Sequence, residues 1–568
     1  MRVDASSIPS GSRLEFDLCI VGSGAAGITL ARRFASTSIK VVVLESGLDE
    51  YDPRTQALAE GEIVGLPYFP LDTARLRWLG GTTNHWGGHC RPMAAEDLEA
   101  RSWVPNSGWP IGLQDLEPYY ERARIECRVP SKLWTLEAWQ EKDSHKPLPL
   151  VGQRFVTRIA QLVGRESRSF RVAHRSELAS IANVAVHLGA NVTEIETSEN
   201  GTLVTRVHVA TLGGQRYSVT ARQIVLAAGG IENPRLLLAS NRQWPAGLGN
   251  QNDVVGRFFL EHPRFTAGYL APSNPHLRVG LYDDHSVGKA KLQGYLSLSK
   301  EAQRAEQLVG VEMLFRPTYV GSFEQALESN DVRELQAVMN AVRGRGGLGD
   351  FGRHLANVVA DLASWQSILI PGAPLPVPFP EVVGRVMRST PVEAQALIPE
   401  LMGDIVAGAY AKTRGAPIKE VRIRTRIDPA PNPDSRVTLS DERDELGMPR
   451  VRLDWRLTAL DHHSVRRTME IFGAEIGRAG LGRVRITFDE GGRTWPEDLA
   501  GGYHHIGTTR MSDDAKHGVV DRNGRVHGIE NLFIAGSSVF PTAGSGPPTI
   551  TIVALAMRLA DHLKGRLA

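Results

Sequence analysis

Near the N-terminus, apolar residues run in short unbroken stretches that give way at once to turn residues. In FDLCIVGSGAAGITLARRFASTSIKVVVLESG, residues 16–47, LCIV is such a stretch. Its length and lack of alternation predict a strand buried on both faces of a parallel sheet. ITLARRFA repeats its apolar positions at helical spacing, and KVVVLE is a second buried strand. ANVTEIETSENG, from Ala190, reads as a strand leading into a turn, and QIVLAAGGIENPRLLLAS, 223–240, as strand, Gly-Gly turn and a helix entered near Pro234. VRIRTRIDP, SRVTL and PRVRLDW alternate or are β-branched, as sheet strands are, with turn-rich PNPDS and DELGMP between them. At 543–563, AGSGPPTITIVALAMRLADHL sets two prolines before a long apolar run. Proline suits the first turn of a helix, where its missing N–H has no partner to lose. Residues 300–415 break the pattern, mixing helical spacing with the glycine patch GRGGLGDFG and the proline-rich IPGAPLPVPFP. They predict a helical insertion. No internal repeat is evident, and the class is α/β, α+β over the whole length.

A chain of 568 residues holds about three domains or two large interwoven ones. Lys and Arg number 65 against 63 Asp and Glu, so no general attraction to nucleic acid is implied. The three cysteines, Cys19, Cys90 and Cys127, lack metal-site spacing and cannot build a disulfide framework. Cys19 falls inside an apolar strand and reads as a small buried hydrophobe. No metal site is expected. MRVDASSIPSGSRLEF carries no apolar signal core, and no apolar stretch reaches the ~18 residues of a membrane span. The expectation is a cytoplasmic protein, with export on a partner subunit left open.

Gly22, Gly24 and Gly27 make GSGAAG, a G-x-G-x-x-G fingerprint with a strand before it and a helix after it. Gly22 permits the tight turn, Gly24 lets the backbone approach a pyrophosphate, and Gly27 allows close helix–strand packing. The helix N-terminus favours the diphosphate charge. Glu45, at the end of the next strand, can accept hydrogen bonds from ribose hydroxyls. The motif alone fits NAD as well as FAD.

Further motifs follow in order: RLRWLGGTTNHWGGHC at 75–90, VVGRFFLEHPRF at 254–265, GGYHHIGTTRM at 501–511 and GIENLFIAGSSVFPTAGSGPPTITIVALA towards the end. With these the chain resembles the glucose–methanol–choline (GMC) flavoprotein oxidoreductases along essentially its whole length. GGTTNHWGG and HHIGTTRM are most similar to the sugar-oxidising branch, that of pyranose 2-oxidase and the glucoside 3-oxidases and 3-dehydrogenases. The resemblance implies FAD bound by a discontinuous domain, 14–100, 185–262 and 496–568. It implies a substrate domain on an antiparallel sheet, 101–184 and 263–495. The cofactor contacts it implies are Gly81, Thr82, Asn84, His85, Val192, Ala228, Gly536, Pro548 and Thr549, besides the fingerprint and Glu45.

The implied reaction is oxidation of a CH–OH group, a secondary hydroxyl of a sugar or glycoside, by hydride transfer to flavin N5. A base must take the hydroxyl proton, and imidazole is suited to this. The family's catalytic His precedes Gly-Thr as H-x-x-G-T, which points to His504, with His505 as its neighbour. The second catalytic residue of the branch, an Asn or His, falls here on Pro547, which offers no side-chain donor or acceptor. Three explanations stay open: His504 suffices; His505, Tyr503 or the segment around Asn84 supplies the missing bond; or the chain has left alcohol oxidation. The helix start at Thr549 still aims its positive end at the flavin. In pyranose 2-oxidase a His in the context of His85 bonds covalently to the flavin; with Asn84 in place of a Thr here, non-covalent FAD is expected. Beyond the 75–90 motif, only Cys127 precedes AAGGIE, so no iron–sulfur cluster forms there. The acceptor, O2 or a redox partner, and the oligomeric state are left open. Alternatives are a GMC-type lyase, like the hydroxynitrile lyases, an oxidoreductase of a non-sugar alcohol, and a flavin-binding protein without turnover.

Overall fold

The structure, a computed structural model, describes residues 1–140, 142–143, 145–164, 167–319, 417–487 and 494–568. The buried strand Arg13–Val21 lies between Val41–Glu45 and Arg216–Leu226, parallel to both. Val184–Leu188 and Arg2–Asp4 extend the parallel sheet on one side, and Leu532–Ile534 joins on the other. Asn191–Thr197 and Val204–Ala210 close it as an antiparallel extension. Val41–Glu45 is buried at every residue, as its unbroken apolar run requires. The chain leaves Arg13–Val21 for Val41–Glu45 on one side and later returns as Arg216–Leu226 on the other, so the C-terminal end of Arg13–Val21 is a topological switch point, where α/β sheets bind ligands.

A second sheet is antiparallel throughout: Gly482–Ile486, Arg264–Pro272, Ile418–Ile427, Val311–Tyr319, Ala290–Leu298, Phe155–Leu162 and His89–Cys90 in order. Helix Ala459–Arg478 packs on it, started by a capping box between Thr458 and Asp461. Arg436–Arg443, Pro449–Asp454 and Gly61–Ile63 make a small third sheet.

The two units interleave more than the sequence reading proposes. Leu113–Glu126, placed with the substrate domain, presents Leu116, Tyr120 and Ala123 to the C-terminal helix Thr549–Leu567. The Tyr120 and Thr551 hydroxyls are 3.1 Å apart. Helix Phe170–Ser180 packs against Ala25–Arg33, whereas His89–Cys90, placed with the cofactor domain, pairs with Phe155–Leu162. Of the predicted insertion 300–415, Lys300–Glu306 is a helix and Val311–Tyr319 an interior strand of the second sheet. GRGGLGDFG and IPGAPLPVPFP lie outside the described residues. All three cysteines are free and buried. Among the described residues, no helix is long and apolar enough to cross a membrane.

Candidate active site

A cavity of about 720 Å³ runs from the switch point of the first sheet to the inner face of the second. Gly22, Gly24, Glu45, Gly81, Thr82, His85, Val192, Ala228, Gly536, Pro548 and Thr549 all line it. The fingerprint glycines divide their work as steric demands dictate. Gly22 has φ +100°, and a Cβ there would stand 2.8 Å from the Ala227 carbonyl oxygen. A Cβ on Gly27 would stand 1.9 Å from the Gly22 oxygen, whereas one on Gly24 would meet nothing within 4 Å of protein. Gly27 therefore packs the helix, and Gly24 leaves open space at the helix start. No side chain caps that start, Ala25–Arg33, so its first N–H groups are available to an anion. Glu45 accepts from the Ser23 N–H at 2.9 Å and hydroxyl at 2.5 Å, and from the Gly47 N–H at 2.8 Å. The fit to a dinucleotide is good along the whole first-sheet wall.

Asn84 is placed differently from its neighbours. Its amide donates to the Leu79 and Gly81 carbonyls at 3.0 and 2.9 Å, and its oxygen accepts from the Ser169 hydroxyl at 2.5 Å. It is not part of the cavity lining and braces the turn that presents Gly81 and Thr82. Beside it, the buried Nε2 of His85 has no protein partner, and burial lowers this imidazole to about 4.

At the other end of the cavity the two histidines part. Gly507 holds φ +87°, and a Cβ there would meet the Phe258 oxygen at 2.2 Å. Thr508 donates to the Gly230 carbonyl at 2.6 Å. These anchors fix the turn that carries His504 and His505. His505 Nε2 stands 3.0 Å from the Tyr68 hydroxyl, which donates at 2.5 Å to Glu261. A hydroxyl whose hydrogen is already donated to a carboxylate can only accept a further bond, so His505 Nε2 carries the N–H. His504 Nδ1 stands 2.7 Å from Nδ1 of His262, whose Nε2 is 2.6 Å from the Gly544 carbonyl. A carbonyl only accepts, so His262 is protonated at Nε2. Burial lowers His262 to about 3 and, with the nearby charge of Arg264 and Arg426, lowers His504 well below its usual range. Both rings are neutral, so His262 Nδ1 accepts from His504 Nδ1–H. His504 Nε2 is left with a bare lone pair, and His504 lines the cavity.

Glu261 ties this corner together. Its carboxylate accepts from the backbone N–H of His262 at 2.7 Å and from that of His504 at 3.0 Å, besides Tyr68. Neither Glu261 nor His262 was singled out by the sequence reading, although both stand in FLEHPRF. An acid–histidine pair directly before a strand was the available signal. Pro547 lines the cavity as well, and Pro548 precedes the first helical residue, Thr549, with no side-chain cap. Among the described residues, one group of His and acidic side chains is close enough to hold a metal: Asp143, His145 and His285. Asp143 already bonds both imidazoles, at 2.8 and 2.7 Å, outside the cavity lining.

Residues 431–556 match the family model described as GMC oxidoreductase. These residues carry the C-terminal domain of a GMC oxidoreductase. The chain is similar to 6'''-hydroxyparomomycin C oxidase of Streptomyces lividus, 26% identical over 97% of this chain and 92% of that one. It is also similar to C-glycoside 3-oxidase of Microbacterium trichothecenolyticum, 37% identical over 22% of this chain and 24% of that one. Its fold is that of pyridoxine 4-oxidase from Mesorbium loti, with a TM-score of 0.50 at 17% identity, covering 97% of this chain and 99% of that one. The chain is an oxidoreductase of the class that acts on CH–OH groups with FAD.

Proposed function

We propose that this GMC oxidoreductase oxidises a secondary hydroxyl of a sugar or glycoside, with His504 Nε2 as the base. The observation that carries the reading is the hydrogen-bond order Gly544–His262–His504. It holds His504 in the one neutral tautomer whose free nitrogen can take the hydroxyl proton. The sugar class is supported by the relatives, whose names include a glycoside oxidase.

Gly22, Gly24, Glu45, Gly81, Thr82, Val192, Ala228, Gly536, Pro548 and Thr549 would hold FAD. Bound there, FAD supplies the acceptor for the hydride that leaves the alcohol carbon. His504 takes the hydroxyl proton as the hydride leaves and becomes an imidazolium. The guanidinium groups of Arg264 and Arg426 raise the free energy of that cation, which favours its release of the proton after turnover. His505 donates to Tyr68 and holds the loop. Pro547 contributes no side-chain bond, and its effect is to stiffen the start of Thr549–Leu567. FAD is held without a covalent bond; a link, if formed, would run through the unpartnered His85 Nε2. The three free thiols support a reducing, cytoplasmic setting.

The test is anaerobic mixing of the purified flavoprotein with a panel of sugars, glycosides and small alcohols. Loss of the flavin's visible absorbance with a sugar or glycoside is the expected result. Flavin that stays oxidised against all of them, while a cyanohydrin is cleaved, contradicts the reading.

A further inference from the structure

Arg264 opens the strand Arg264–Pro272 and lies in register with Arg426, which lies in register with Glu312. This row crosses the inner face of the second sheet. Arg91 and Arg426 both bond to the one carboxylate of Glu312. Arg426 also donates to the Ser545 carbonyl at 3.0 Å and sits 4.5 Å over the Tyr295 ring. Arg264 has no such arrangement. Among the described residues no carboxylate lies within ion-pair distance of its guanidinium and no hydrogen bond ends on it. The attraction it does feel comes from Glu261 and Tyr295 at longer range. Glu261 is already bonded to Tyr68 and to the N–H groups of His262 and His504. The Tyr295 hydroxyl donates to Gln293 at 2.6 Å.

The guanidinium faces the cavity beside the base. It shares the lining with Gly502, Tyr503 and His504, and a Cβ on Gly502 would come within 3.3 Å of its Nε and Nη2. Burial keeps His89, His262, His504 and His505 neutral here. Among the described residues, Glu312 takes Arg91 and Arg426 and Glu261 lies at longer range from Arg264, while Arg424 adds further positive charge beside it, so Arg264 stands in an excess of positive charge. Arginine does not shed its charge, and a half-buried guanidinium without a partner is costly unless an anion joins it. A planar fork without a carboxylate partner matches a planar anion.

We propose that Arg264 anchors a carboxylate on the alcohol substrate, so that this enzyme takes a sugar acid, such as a uronate, in preference to the neutral sugar. This rests on the CH–OH reading above, and the test separates the two. The probes are D-glucuronate and D-glucuronamide, alike in shape and different in charge. Anaerobic flavin reduction by native enzyme should show kcat/KM at least ~10-fold higher for the acid, mainly through KM, as a charge-assisted bond implies. Arg264→Gln should cut the acid's kcat/KM far more than the amide's, and Arg264→Lys should recover part of the preference. Equal values for acid and amide in native enzyme, or equal losses in Arg264→Gln, overturn the proposal. If neither probe reduces the flavin, the sugar reading fails and the anion site is read by titrating the flavin spectrum with acetate and acetamide. Saturable binding of acetate over acetamide that Arg264→Gln abolishes supports the site. Indifference to charge, or to the substitution, overturns it.

Discussion

His504 and His505 share a peptide bond, and their side chains serve different partners. His505 is locked as a donor to Tyr68, and His504 is locked as a donor to His262. The tautomer of the base is thus set by a residue 242 positions away in the chain. His262→Phe keeps the ring volume and removes the acceptor. It should retain FAD and slow flavin reduction on the order of 10-fold, a fraction of the 10²–10⁴ that general-base catalysis supplies. His262→Gln, which can accept at its oxygen and donate to Gly544 at its amide, should recover much of that loss. A Phe variant with native reduction kinetics would remove His262 from the mechanism. Pro547→Asn restores the residue type that the family uses. The rate of flavin reduction should be unchanged or lower, because the His262 bond already orients the base; a clear gain would show that the missing Asn limits this enzyme.

At the scale of elements, the helix Ala25–Arg33 and its turn were legible from the sequence for a steric reason. Only glycine satisfies the contacts at Gly22 and Gly27, so the spacing is written in residue type. Gly27→Ala drives a methyl group into the Gly22 carbonyl, and overpacking of this kind costs about 1–3 kcal/mol. Gly24→Ala meets no protein atom and should fold normally while losing FAD. Thermal unfolding of the apoproteins and the flavin-to-protein ratio distinguish the two; a normal flavin content in Gly24→Ala would contradict the assignment. The last strands and the C-terminal helix were equally legible from alternation and prolines. Other elements were not. The stripe Leu116–Tyr120–Ala123 shows that Leu113–Glu126 buries a face, but a stripe does not say which unit covers it. Val311–Tyr319 sits in a region whose local pattern looks helical and irregular, and its strand state comes from pairing with Ala290–Leu298 on one side and the distant Ile418–Ile427 on the other. Asn84 belongs to the right loop, yet residue type alone cannot say that its amide turns inward to carbonyls. Arg264 and Glu261 look like ordinary surface charges until the two units close over them.

Among the described residues, buried histidines outnumber the groups that oppose them. His85 and His187 are lowered to about 4, and His89, His262 and His505 to about 3, all chiefly by burial. Each is neutral in the folded state and takes a proton near pH 6.5 once unfolded. Stability from them is fully present above pH 6.5 and is lost as pH falls towards 3, at about 1.4 kcal/mol per pH unit for each group. Asp428 and Asp461, raised to about 6 by burial, and Glu261 and Asp284, also raised by burial, work the other way over part of that range, but they are fewer. The thermal midpoint should hold steady from pH 8 to 7 and fall steadily below 6.5; a midpoint unchanged down to pH 4 would contradict these protonation states.

The central claim is that His504, neutral and with a free Nε2, takes the substrate proton. Stopped-flow flavin reduction under anaerobic conditions, native against His504→Ala, tests it most directly. With FAD still bound, the variant should reduce its flavin at least ~100-fold more slowly. The native rate should stay level as pH falls through 6.5, because the ring titrates well below that value. A His504→Ala enzyme that reduces its flavin at close to the native rate would contradict the account.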